Sequence, residues 1–376
     1  MLYLLIMKIT ILGRGNAGCI SAMHLAYFRK FKNTKVEIDL IYDSNIPPVP
    51  TGQGTTLEFP EKLFENFGSS IFKSFPHTIK GGIMYENWNK KNNKFFHSFP
   101  VGRYGLHIEP KAFQDYVCNN LKVNFMSKDE NIQSYDSLDS DYIIDCRGKP
   151  SDFNDYAPLV NPLNCALLSE LPPKVDDVKW TRAIAHEHGW CFYIPLPSKT
   201  SLGYLFNSNI TTVEEATLNF KKKFGIEKVN KVFPFNQYIA KDPIIDNRIL
   251  LNGNKLFFLE PLEATAMATY NFTIQCYFDY MFHNIDGQTT KFKILDYINK
   301  VENFILWQYR NNTFYQTKFW DFANKLSLNT DLGDLNRIMT VVKDMTVEDT
   351  RKSIKDNDNY AQWQNWNFKI FYDNRV

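Results

Sequence analysis

Along the first third of the chain, short apolar runs alternate with glycine- and proline-rich breaks. Ile9-Thr10-Ile11-Leu12 reads as a short buried strand, and Gly13-Arg14-Gly15-Asn16-Ala17-Gly18 follows at once. Cys19–Phe28 then carries apolar residues at helical spacing, and a second strand, Val36–Tyr42, ends in the carboxylate Asp43. Strand, GxGxxG turn, helix, strand and acid in that order form a dinucleotide-binding fingerprint. Gly13, Gly15 and Gly18 would serve a tight turn, close backbone approach to a pyrophosphate, and tight helix-on-sheet packing. Asn16 and Ala17 open the helix, whose N–H groups and positive dipole end would face the phosphates; Asp43 would accept from ribose hydroxyls.

Further along, Ile46–Leu57 contains Pro47, Pro48, Pro50, Gly52 and Gly54, which predict a shaped loop able to lie against the cofactor ring. Phe75–Trp88 sets one lysine, Lys80, before two glycines and an apolar strand. Uncharged neighbours would leave that amine poorly solvated, with a lowered pKa and use as a nucleophile or donor; an ordinary strand-end lysine has the same pattern. A helix is predicted at Pro110–Leu121, and Tyr142–Gly148 reads as a buried strand returning Asp145 and Gly148 to the nucleotide. Lys179–Asn207 reads as paired strands turning around Pro197–Ser201. His186 and His188 would share a strand face there, yet no third ligand lies nearby and no metal is expected.

Leu256–Met267 runs from a strand through Pro261 into a helix. Glu260 and Glu263 flank that turn, and Ala264-Thr265-Ala266 offers unobstructed backbone N–H groups, together a niche for a small anion beside an acid/base residue. Glu260 alternatively caps the helix. Amphipathic helices follow at Tyr270–Asn284 and Ile294–Tyr309, and Trp363 and Trp366 fall in a helix-rich tail over the sheet.

At 376 residues the chain exceeds the usual single-core limit, so one large or two intimately joined domains are expected. The reading is a core over 7–270, with an inserted substrate-side sheet at about 60–140 and 160–250, and a helical region over 271–376. Lys+Arg 43 against Asp+Glu 41 gives a net charge of +2, so nothing points to nucleic acid or to an anionic membrane. Six cysteines without a CxxC pair predict reduced, mostly buried thiols and a cytoplasmic setting. Met1–Ile6 is too short to span a bilayer and lacks a signal-peptide pattern; Met7 is an alternative start, so the prefix is set aside.

Taken together, these segments resemble the flavin-dependent halogenases of the tryptophan-halogenase type, as a compact member. Gly13–Gly18 matches that family's FAD motif, and Pro50–Leu57 is similar to its flavin-contacting strap. Ile79–Trp88 looks like the segment with its essential lysine. His188–Pro195 is similar to its Trp-x-Trp-x-Ile-Pro signature, Leu259–Thr265 to its Pro-Leu-Glu-Ser-Thr segment, and Phe304–Trp320 to the helix and Phe-Trp beyond. Phe192 replaces the second tryptophan, Thr55 a frequent glutamate, and Ala264-Thr265-Ala266 the usual Ser-Thr-Gly; the C-terminal region is shorter.

The resemblance implies an α/β fold: a Rossmann-type, two-dinucleotide-binding flavoprotein domain with an inserted β-sheet and a helical C-terminal part. It also implies an enzyme that uses reduced FAD from a separate flavin reductase, O₂ and a halide. Through a flavin hydroperoxide and hypohalous acid it would halogenate an electron-rich, indole- or phenol-like small aromatic. Lys80 would position the halogen and Glu263 would assist; Thr265 and Ala266 would hold the halide, while Trp190, Phe192 and Pro195 would line the tunnel. A homo-oligomer is left open. An FAD-dependent aromatic hydroxylase and a flavin-binding protein that has lost catalysis are the alternatives.

Overall fold

A computed structural model describes residues 6–32, 35–68, 75–127, 132–174, 177–310, 314–352 and 360–375, so residues 1–5 of the N-terminal prefix lie outside the described residues. The strand Met7–Leu12 pairs in parallel with Val36–Tyr42, Ile9 opposite Ile38 and Ile11 opposite Leu40. Between them runs the helix Asn16–Lys32. Tyr142–Asp145 pairs on the other side of Met7–Leu12, with Ile11 opposite Ile144. With Asn124–Ser127 beyond Val36–Tyr42 and Ile249–Leu251 beyond Tyr142–Asp145, these form a six-stranded sheet, parallel but for the edge strand Ile244–Ile245. Ile9, Ile11, Leu40, Ile143 and Ile144 are all fully buried, as a parallel sheet covered on both faces requires.

A second sheet of seven strands is antiparallel except where Thr181–His186 joins Gly82–Glu86 in parallel. Its centre is the expected pair, Gly189–Pro195 and Thr200–Phe206, with Phe192 opposite Gly203. A three-stranded sheet places Gly105–Ile108 between Gln53–Gly54 and His77–Lys80, so part of the predicted loop is a short strand. Another pairs Tyr238–Ala240 with Tyr156–Pro158 and Phe257–Phe258.

The helix Pro110–Asn120 begins at its proline as predicted. The two long helices start earlier than the apolar pattern indicates, at Thr265–Phe282 and Gly287–Trp307. The first packs against Asn16–Lys32 and the second against the first. The C-terminal helix Asn365–Arg375 packs against Asp334–Lys343 and against strand Lys94–Ser98 of the large sheet. All six cysteines are free; Cys118 is half-buried and the others are buried. No described helix is long and apolar enough to cross a membrane.

Candidate functional site

A cavity of about 230 Å³ opens above the carboxyl ends of Met7–Leu12 and Val36–Tyr42. Gly13, Gly15, Asn16 and Ala17 line one side, and Asp43 and Gly148 another. Gly13 adopts φ +95°, and a Cβ there would press on the Cys146 carbonyl at 3.0 Å. Gly15 is different: a Cβ would meet no protein atom within 4 Å, which leaves its backbone open to a ligand. Gly18 does not border the cavity, because it is pressed on the loop from behind; a Cβ would lie 1.8 Å from the Gly13 oxygen.

Asn16 closes this wall by donating from Nδ2 to Gln53 Oε1 at 2.5 Å while Oδ1 accepts from Gln114 Nε2 at 2.9 Å. Three further residues expected at the cofactor do not line this cavity. Asp145 lies behind the cavity wall, held by Arg147 (Nε to Oδ1, 3.0 Å; Nη2 to Oδ2, 2.8 Å) and by the Tyr135 hydroxyl at 2.7 Å. Burial pushes the Asp145 pKa up, but those donors outweigh it and hold it below the usual carboxylate range. It therefore acts as a brace for Arg147, which does line the cavity. Gly52 and Gly54 also stay outside; the strap residue that faces the cavity is Gln53. Arg14, Arg147 and Gln53 join the wall from within segments the sequence singles out, whereas Gln114 and Asn254 carry no sequence signal and only the tertiary fold brings them there.

Lys80 ends the strand His77–Lys80 and is 1% exposed. Its Nζ donates to the Thr55 carbonyl at 3.2 Å and sits 5.4 Å from the Phe99 ring centroid. Gly54 makes room: a Cβ there would lie 3.2 Å from Nζ. Burial lowers the Lys80 pKa to about 8, against the raising influence of Glu263. Beneath it His107 is bonded at both ring nitrogens, Nδ1 to the Thr78 hydroxyl (3.1 Å) and Nε2 to the Thr181 hydroxyl (2.9 Å). Burial, reinforced by the Lys80 charge, pushes the His107 pKa well down.

Glu263 stands at the turn before Thr265–Phe282, with Glu263 (φ 64°) and Ala264 (φ 58°) both left-handed. Its carboxylate accepts from the Tyr85 hydroxyl and from Trp363 Nε1 at 3.3 Å, and its carbonyl accepts from Gln362 Nε2 at 3.2 Å. His97 Nδ1 is 3.4 Å from Oε2, within ion-pair distance but off hydrogen-bond alignment. Asn367 Nδ2 donates to His97 Nε2 at 2.8 Å, so Nδ1 is the nitrogen that carries hydrogen toward the carboxylate. Burial raises the Glu263 pKa, yet His97, Tyr85 and Lys80 together hold it below the ordinary value. Tyr85, His97 and Trp363 have no sequence motif to reveal them.

Glu260 does not cap the helix. Its carboxylate takes hydrogen bonds from Trp190 Nε1 (2.7 Å), Asn161 Nδ2 (2.7 Å) and the Tyr309 hydroxyl. The Phe192 ring lies over Gly203, where a Cβ would come within 2.1 Å of it, and the Pro195 carbonyl accepts from Thr78 Oγ1 at 2.7 Å. Thr265 and Ala266 are the first residues of their helix. His186 stacks on Tyr204 with centroids 3.6 Å apart, and His188 bonds Thr211. No group of three metal-ligating side chains occurs among the described residues.

The tryptophan halogenase family profile matches residues 8–136 and 122–366. Tryptophan 6-halogenase ThaL of Streptomyces albogriseolus is 24% identical over 183 residues, 46% of this chain and 34% of that protein. Tryptophan 7-halogenase KtzQ of Kutzneria sp. is 28% identical over 153 residues, 36% of this chain and 28% of that one, so the chain aligns with about a third of each. The solved tryptophan halogenase of Shewanella frigidimarina superposes with a TM-score of 0.80 at 17% identity, covering 98% of this chain and 88% of that one. The fold is thus shared across nearly the whole length, and the profile spans almost all of the sequence: the chain belongs to the tryptophan halogenase family.

Proposed function

We propose that the chain is an FAD-dependent halogenase of a small, electron-rich aromatic, indole- or phenol-like. The cavity supports the cofactor: Gly15 leaves backbone room, the helix Asn16–Lys32 points its N-terminus at the space, and Asp43 supplies an acceptor at the rim. Reduced FAD bound there, supplied by a separate reductase, would furnish hypohalous acid from O₂ and halide.

The chain's own residues do the rest. Thr265 and Ala266 carry first-turn N–H groups that no intrahelical carbonyl can accept from, and these would hold the halide. Lys80, with a pKa of about 8, can donate to the hypohalous oxygen or carry the halogen on nitrogen. Glu263, held below the usual carboxylate range, remains an anion at neutral pH. It would stabilise the cationic ring and accept the proton lost from the halogenated carbon. The observation that carries this reading is that Lys80 and Glu263, remote in sequence, are both buried, Lys80 at the end of the strand His77–Lys80 and Glu263 hydrogen-bonded to Tyr85 of the strand that follows it.

The test is a mass-spectrometric screen of indoles and phenols with purified protein, FAD, a flavin reductase, NADH and bromide. A mass gain with bromine's isotope doublet is expected, and its loss in Lys80→Ala. Bromination that survives in Lys80→Ala would mean free hypobromous acid and would sink the lysine's role. Oxygen insertion in place of bromine would favour a hydroxylase.

A further inference from the structure

Glu260 opens the turn that ends at Glu263, and its carboxylate is wholly buried with no cation in contact among the described residues. A buried anion without a counter-charge persists only where donors fill its lone pairs. Three do so. Asn161 Nδ2 bonds Oε1 at 2.7 Å, Trp190 Nε1 bonds Oε2 at 2.7 Å, and the Tyr309 hydroxyl lies 2.9 Å from both oxygens. The Glu260 backbone N–H donates to Gln237 Oε1 at 3.1 Å. The donors come from separate parts of the fold: the large sheet, the end of the helix Gly287–Trp307, and the segment after Tyr156–Pro158.

Two consequences meet at this carboxylate. Trp190 and Tyr309 both pack on Trp88, with centroids 6.1 and 5.9 Å apart, so Glu260 orients the aromatic wall. Three residues further on, Glu263 and Ala264 hold left-handed backbone that side chains disfavour and that surroundings must fix.

We propose that Glu260, as its carboxylate, is a positioning residue: it anchors the turn that presents Glu263 and locks the Trp190 ring through the indole N–H. The part that concerns Glu263 rests on the halogenase reading above. Burial pushes the Glu260 pKa to about 7, with its three donors restraining it. Protonation would give one oxygen an O–H that the Tyr309 hydroxyl can accept but the Trp190 indole cannot, and would remove the charge that strengthens the indole bond, so the lock on Trp190 loosens as pH falls below about 7. Around the carboxylate, Tyr309 and Tyr85 are the titratable neighbours, and both of those hydroxyls feel the Arg375 charge.

The experiment uses the full chain labelled with ¹⁵N at its indoles, the Trp190 resonance being assigned with Trp190→Phe. In the wild type that Nε1–H signal should shift with a midpoint near pH 7, and in Glu260→Gln it should not shift. An indole signal that ignores pH in the wild type overturns the lock. This readout needs no turnover, so a failed halogenase reading and a failed Glu260 assignment are told apart. On a brominated arene, Glu260→Gln should lose about 100-fold in kcat with FAD affinity retained, the cost of a misplaced group. An unchanged kcat would overturn the anchor. Should Glu260→Gln not fold, Trp190→Phe and Tyr309→Phe each remove one donor to a charged group and should cost about tenfold.

Discussion

An ammonium buried against one carbonyl acceptor and an aromatic ring is held at a cost, and Lys80 is such a group. Its pKa falls from 10.5, the ordinary value for a solvated lysine, to about 8 in the fold. Between those pH values the unfolded chain binds the proton that the folded one has lost, so stability rises with pH across that window. Below about 8 the full penalty applies, a difference of roughly 3 kcal/mol at 1.4 kcal/mol per unit. Lys80→Met, similar in length and uncharged, should therefore unfold at higher urea than the wild type at pH 7. The gap should narrow as pH rises from 8 toward 10. Equal urea midpoints throughout would show that the ammonium is not desolvated. Lys80 was visible in the sequence because two glycines and an apolar strand follow it. Its acceptor was not, because Thr55 arrives by strand pairing across Gly105–Ile108.

The glycine loop separates two jobs that a motif alone runs together. Gly15 faces the cavity and Gly18 faces the loop itself. In Gly15→Ala the new methyl meets no protein atom, so the melting temperature should hold while FAD binding weakens. In Gly18→Ala the methyl collides with the Gly13 carbonyl, so both should fall, stability by at least the 1–3 kcal/mol typical of overpacking. Thermal melts beside flavin-fluorescence titrations distinguish the cases; equal loss in both variants would contradict the division. The strand–loop–helix–strand unit was legible because each part is local and periodic. The surroundings of Asp145 were not legible, for the opposite reason. At a strand end it has the look of a cofactor ligand, yet Arg147 two residues on turns back and claims it. Phe192 is paired with Gly203 across strands, a relation that its own segment does not record.

Over the whole molecule, the C-terminal stretch is part of the candidate site. Trp363 and Gln362 bond Glu263, Asn367 bonds His97, and Phe371 touches Tyr85, Phe95 and His97. Asn89 reaches across to the Arg375 carbonyl at 2.8 Å, tying the chain's end to the strand that follows Lys80. The sequence showed a helical tail rich in aromatics; that its side chains enclose a carboxylate a hundred residues earlier could only come from packing. The cavity proposed for FAD, in contrast, is lined by residues no later than Tyr270. Damage to the tail should therefore uncouple the two halves of the chemistry. Phe371 is fully buried, and Phe371→Ala should cost about 3–5 kcal/mol, read from urea unfolding. Below the unfolding transition the variant should still bind FAD with wild-type affinity and still consume NADH with the reductase and O₂. Its halogenated product should fall, because Tyr85 and His97 lose the ring that fixes them beside Glu263. Loss of FAD binding in parallel with loss of product would instead mean that the tail holds the nucleotide sheet together, and the two halves would not be separable.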